Sequence, residues 1–151
     1  MIDPMLIKYV LLALFGIAMA HCEGVVVVYL RRALGMLDSD SNQATLEKFP
    51  ARYIAIERTR EAATIVMLAA LALLVGATWP GRLVVFLWTF AFWDLFYYLS
   101  LYLLIRWPPS LATTDVLFLI PRPWIAPVWV PVGISSLTIV VIAVLLLLAL
   151  V

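Results

Sequence analysis

Charge is scarce in this sequence. Asp, Glu, Lys and Arg make up 13% of its 151 residues, while 66% are hydrophobic; soluble domains carry about twice that charge. A water-soluble core of this size has no use for so much apolar surface, and the mean hydropathy of +1.13 points to lipid as the solvent. Cysteine is almost missing: the single Cys22 excludes an internal disulfide and any multi-cysteine zinc or iron–sulfur centre, and it reads as a small buried hydrophobe. The single histidine, His21, excludes a bis-histidine haem within the chain. There is no Gly-rich phosphate loop, nucleophile elbow or His-Glu-x-x-His motif. A net charge of +1 provides no basic field, so nucleic acid is not an expected partner. The opening MIDPMLIKYV lacks a basic stretch, and the first apolar run reads as a retained helix rather than a signal peptide.

What is present is long apolar runs. A bilayer core needs about 20 apolar residues in a helix, and four segments meet or approach that: about 5–30, 52–78, 83–105 and 130–151. The expected fold class is all-α: an integral membrane four-helix bundle in one transmembrane domain, 1–151. Trp79-Pro80-Gly81-Arg82 reads as a tight turn that makes the second and third helices antiparallel neighbours. Asp38 to Pro50 reads as a polar, solvated loop. Residues 107–131 hold six of the nine prolines yet stay apolar. Irregular backbone in lipid must be covered by protein or line a cavity, so this Pro/Trp-rich segment is expected to hold a short interfacial or re-entrant helix, about Thr114 to Ile120. Asp115 would cap it or follow a Thr cap, and Trp107, Trp124 and Trp129 would anchor it at the interface. The loops after the first and third spans, with their flanks, carry eight Lys/Arg against two on the other side. Both loops are therefore expected in the cytoplasm and both termini outside.

Ionisable residues inside such spans cost roughly 2.5–3.5 kcal/mol each at the bilayer centre and normally face the bundle interior with partners. Glu23 lies eight residues before Arg31, roughly 12 Å into the membrane from that end. Glu57, Arg60, Glu61 and Thr64 fall on one helical face. Asp94 sits mid-helix, with Tyr97 and Tyr98 at i+3 and i+4, where a phenol can hydrogen-bond it. The candidate polar cluster is therefore Glu23, Glu57, Arg60, Glu61, Asp94, Tyr97 and Tyr98. Four acids against one or two arginines cannot all stay ionised in a low-dielectric site; some are protonated or a cation fills the gap. A metal would draw on Glu23, Glu57, Glu61 and Asp94, with His21 as the sole imidazole, although His21 and Glu23 are about 200° apart round the helix.

The order of motifs resembles a group of small bacterial membrane proteins. The matching pieces are Glu23 with the valine run to Tyr29-Leu30-Arg31, Arg60-Glu61-Ala62-Ala63-Thr64 with Met67, and Trp93-Asp94 with Tyr97-Tyr98. Trp107-Pro108, Ser110-Leu111, the run from Asp115 to Pro121, Trp124 and Pro127-Val128 complete the pattern. The resemblance implies a shared fold and polar set in a bacterial inner membrane, and implies no activity or cofactor. Glu57-Arg58 is also similar to the start of the second helix in the membrane-associated eicosanoid and glutathione metabolism proteins, but the asparagine and glutamate that follow there are absent here.

Three functions fit these residues. The leading one is an accessory or scaffold subunit of a larger membrane complex, or a homo-oligomer, binding membrane lipid, quinone or pigment between aromatic faces. The alternatives are a small membrane enzyme or metal-binding protein that uses the intramembrane carboxylates, and a proton or cation pathway.

Overall fold

A computed structural model of the chain describes residues 3–35, 47 and 49–150. Within them, in order, stand α1 (Pro4–Ala33), α2 (Ala51–Val75), α3 (Trp79–Ile105), the strands β1 (Thr114–Phe118) and β2 (Trp124–Pro127), and α4 (Trp129–Leu150). Most of the polar loop expected between Asp38 and Pro50 lies outside the described residues.

The helix starts follow from local chemistry. The Asp3 carboxylate accepts the backbone N–H of Met5 at 2.7 Å and of Leu6 at 3.3 Å, and Pro4 occupies the first turn of α1, where a missing N–H costs nothing. Thr78 does the same for α3: its hydroxyl accepts the Gly81 N–H at 3.2 Å, with Pro80 in the first turn. Trp79 to Arg82, expected as the turn between helices, is thus the start of α3, and the reversal is tighter. A Cβ on Gly76 would lie 2.6 Å from the Arg82 backbone, and Arg82 Nε donates to the Gly76 carbonyl at 3.1 Å.

Three helices, α1, α3 and residues Trp129–Leu148 of α4, are long and apolar enough to cross a membrane. The fourth differs from the expected run. Glu57, Arg58, Arg60 and Glu61 fill the first half of α2, and its uncharged stretch, residues 62–75, rises only roughly 21 Å against about 30 Å of hydrocarbon.

The bundle is built round α3, which packs against each of the other helices. Its closest neighbour is α1, whose buried face reads Leu12, Gly16, Ala20, Gly24, Val27 at helical spacing. Small residues every fourth position let two backbones approach. A Cβ on Gly16 would come within 2.8 Å of the Thr89 carbonyl oxygen, and one on Gly24 within 3.1 Å of Ser100 Cβ. One end of the bundle is solidly apolar, filled by Tyr9, Leu12, Ala72, Val85, Trp88 and Ile142. There the Trp88 indole donates to the Tyr9 carbonyl at 2.9 Å.

The helical-bundle class holds, but the short helix expected at Thr114–Ile120 is instead an antiparallel hairpin. Thr114 pairs with Pro127, Asp115 with Ala126 and Val116 with Ile125. Backbone bonds of 2.9 Å, Val128 to Thr113 and Trp129 to Leu111, extend it toward α4. The prolines at 121, 123 and 127 lie past the expected helix, two between the strands and one in β2, where the edge of a hairpin tolerates a missing N–H. A hairpin lets backbone groups of this apolar segment pair with one another, as backbone polar groups removed from water must. Trp124 and Trp129 stand 48% and 58% exposed, whereas Trp107, expected beside them as an anchor, is 2% exposed and part of the core.

Candidate functional site

The end of the bundle opposite the apolar core holds a cavity of about 140 Å³. Its walls come from the second half of α1, the first half of α2 and the second half of α3, with β1 closing over them. Five of the chain's nine acidic residues line it, Glu23, Glu57, Glu61, Asp94 and Asp115, together with Arg31, Arg60, Tyr97 and Tyr98. All seven residues of the polar cluster read from the sequence thus stand round one space.

Four polar nodes divide the chamber. In the first, Arg60 bridges two helices. Its guanidinium binds Glu57 of its own helix through Nε at 2.9 Å and Nη2 at 2.8 Å, and its Nη1 reaches Glu23 of α1. The Thr64 hydroxyl, one turn along α2, donates to the other Glu23 oxygen. The 3.6-residue period does this work: 57, 60, 61 and 64 share the face turned to the bundle, while Arg58 is exposed.

The second node is tied to the hairpin. Asp115, read from the sequence as a helix cap, is 4% exposed. It faces Arg31 of α1 at 3.5 Å and accepts the Tyr98 hydroxyl at 3.1 Å. Arg31 also lies over the Trp107 ring, 3.7 Å from its centroid. In the third node, the Glu61 carboxylate accepts two backbone N–H groups just past β1, from Leu119 at 2.8 Å and Ile120 at 3.0 Å. This side chain holds the hairpin tip down on α2.

The fourth node is Asp94, which is 9% exposed. The expected phenol partner is elsewhere, because Tyr98 turns to Asp115. Asp94 instead accepts the hydroxyl of Ser135 on α4 at 2.7 Å. Sequence reasoning gave no role to Ser135, since nothing in a run of α4 marks which hydroxyl faces a distant helix. Tyr97 makes no hydrogen bond through its hydroxyl among the described residues, and neither do the buried indole N–H groups of Trp93 and Trp107.

The structure sets two of the residues read from the sequence apart from the chamber. His21 and Cys22 are both exposed on the outer face of α1, away from the chamber. Among the described residues, no three His, Cys, Asp or Glu side chains are placed to hold a metal ion together, because the carboxylates are spread among separate donors. No protein-family model matches the chain, and comparison with curated proteins and with solved structures found no match.

Proposed function

We propose that this chain is a polytopic protein of the bacterial inner membrane that binds a small polar molecule in its chamber. The observation that carries the reading is the position of the cavity: it collects most of the acidic side chains at one end of the bundle, while the other end is packed apolar core. A conduction path needs an opening or a relay right across the bundle, and the packed side chains of Tyr9, Leu12, Val85 and Trp88 fill the route beyond Asp94. That arrangement favours a dead-ended site over a proton or cation pathway.

The same cavity supports four crossings. Glu57, Arg60 and Glu61 turn into it, so α2 presents fewer charges to lipid than its sequence suggests. Discounting Arg31 and Arg60, which are spent inside the bundle, leaves six Lys/Arg against two. The chamber end is then the cytoplasmic one and both termini lie outside. The scant polar surface suits a subunit packed among other membrane helices.

Mass spectrometry of molecules released by denaturing the detergent-purified protein tests the reading. The expected result is one small polar compound near equimolar with the protein, absent from a Leu117→Trp variant that fills the chamber. Recovery of nothing from wild type, together with ion flux through liposomes carrying it, would return the pathway reading to first place.

A further inference from the structure

We propose that the guest of the chamber is a compact organic cation, a protonated amine of a few carbon atoms, with its ammonium group against Asp94. This rests on the binding reading above and adds the chemical class of ligand.

Each carboxylate in the chamber has an answer except one. Glu23 and Glu57 share the Arg60 guanidinium. Asp115 has Arg31 and the Tyr98 hydroxyl. Glu61 takes two backbone N–H groups. Asp94 accepts only the neutral hydroxyl of Ser135, and no cationic side chain among the described residues stands against it. At 9% exposed it is cut off from bulk solvent, so whatever answers its charge must come from the chamber it lines. A buried carboxylate without a counter-ion on the wall of a cavity is a place for a positive guest.

The surrounding rings suit an organic cation. Trp93, Tyr97 and Tyr98 all border the same space as Asp94. The Tyr97 ring lies 6.4 Å from that of Trp93 and 5.3 Å from that of Tyr98, centroid to centroid. Aromatic faces attract ammonium groups through their quadrupoles, more strongly where water is excluded. The Tyr97 hydroxyl, which has no partner of its own among the described residues, offers an acceptor for an N–H. Competing classes fit less well. Both guanidinium groups are committed to carboxylates, which leaves little for an anion. A hard metal ion takes several oxygen ligands, and the carboxylates are not grouped for that. The volume of about 140 Å³ is close to that of a cavity of roughly 150 Å³ that admits benzene, a size that suits a short alkylammonium better than a pigment.

The test is thermal unfolding of the detergent-purified full chain with propylammonium chloride, beside sodium chloride, 1-propanol and sodium propionate at matched concentration. Propylammonium should raise the unfolding temperature saturably, and the three controls should not. Asp94→Asn keeps the shape and the bond from Ser135, and should weaken the apparent affinity tenfold or more; Tyr97→Phe should weaken it by a smaller factor. Saturable stabilisation by 1-propanol or propionate in place of propylammonium would overturn the cation class while leaving a binding chamber intact. So would stabilisation by sodium chloride alone, or undiminished propylammonium binding in Asp94→Asn. Silence from every probe, with no compound released on denaturation, would remove the binding reading itself.

Discussion

The guanidinium of Arg31 lies over the indole of Trp107, 3.7 Å from the ring centroid. The same group reaches Asp115 on the hairpin at 3.5 Å. One cation thus joins α1, the segment that leaves α3, and β1, at a point where both partners are buried. A lysine there keeps the charge but loses the planar stack and the spread of donors. Arg31→Lys and Trp107→Leu should each lower stability, the first by about 1–2 kcal/mol, measured as the midpoint of unfolding by a denaturing detergent. An unchanged midpoint in Arg31→Lys would mean that charge alone holds the hairpin.

Arg60 answers two carboxylates from two helices. Taking it away leaves Glu23 and Glu57 facing the chamber without a cation; because the Arg60 side chain is 28% exposed, the cost should fall below the about 3–5 kcal/mol of a fully buried pair broken from one side. Arg60→Met should therefore be the most damaging single change at the site. Adding Glu23→Gln to it removes one stranded charge, so the double variant should unfold later than Arg60→Met alone. Strict additivity of the two changes would argue that Glu23 and Arg60 do not interact.

The Glu61 carboxylate is the only α2 side chain seen to grip the hairpin backbone among the described residues. Glu61→Ala leaves the Leu119 and Ile120 N–H groups without their acceptor. Amide exchange at these two positions should quicken by about tenfold or more, since local opening sets exchange rates. Glu61→Gln keeps one acceptor oxygen and should fall between. Exchange at Val116, inside the ladder, should change least, and an equal rise along the whole hairpin would point to general unfolding in place of a released tip.

These nodes differ in how far the sequence discloses them. The Glu57, Arg60, Glu61 and Thr64 face follows from helical period alone, and the structure turns all four inward. Glu23 and Asp94 declare themselves because an ionisable group in an apolar run needs a reason to be there. Asp115 is a different case. Its partner Arg31 is far away in the chain, and its own segment is so rich in proline that the two-residue alternation of a short strand is hard to see. The same prolines that argue against a spanning helix also fit the edge of a hairpin, and composition does not choose between a hairpin and a short helix. Trp107 misleads for a similar reason: a tryptophan beside Pro108 and Arg106 has the composition of an interface anchor, yet the left-handed turn at Arg106, φ 57°, brings the chain back and buries the ring. Which residues share a face is local information; which faces meet is not.

The contact between α1 and α3 provides a graded test of the packing on which the chamber depends. At Gly16 an added Cβ would sit 2.8 Å from the Thr89 carbonyl oxygen, a backbone atom that cannot rotate away, with Phe92 Cβ at 3.1 Å behind it. At Gly24 the nearest atom is Ser100 Cβ at 3.1 Å, and the next lies at 4.0 Å, so a small shift relieves the clash. At Gly133 nothing lies within 4 Å. Overpacking a close contact costs about 1–3 kcal/mol, whereas alanine in an open helical position gains up to about 1 kcal/mol over glycine. Gly16→Ala should therefore be clearly destabilising, Gly24→Ala nearly neutral and Gly133→Ala neutral to stabilising, in unfolding by a denaturing detergent. If Gly16→Ala unfolded with Gly133→Ala, α1 and α3 would not approach as closely as described. The second half of α1 would then no longer be placed to bring Glu23 and Arg31 to the chamber.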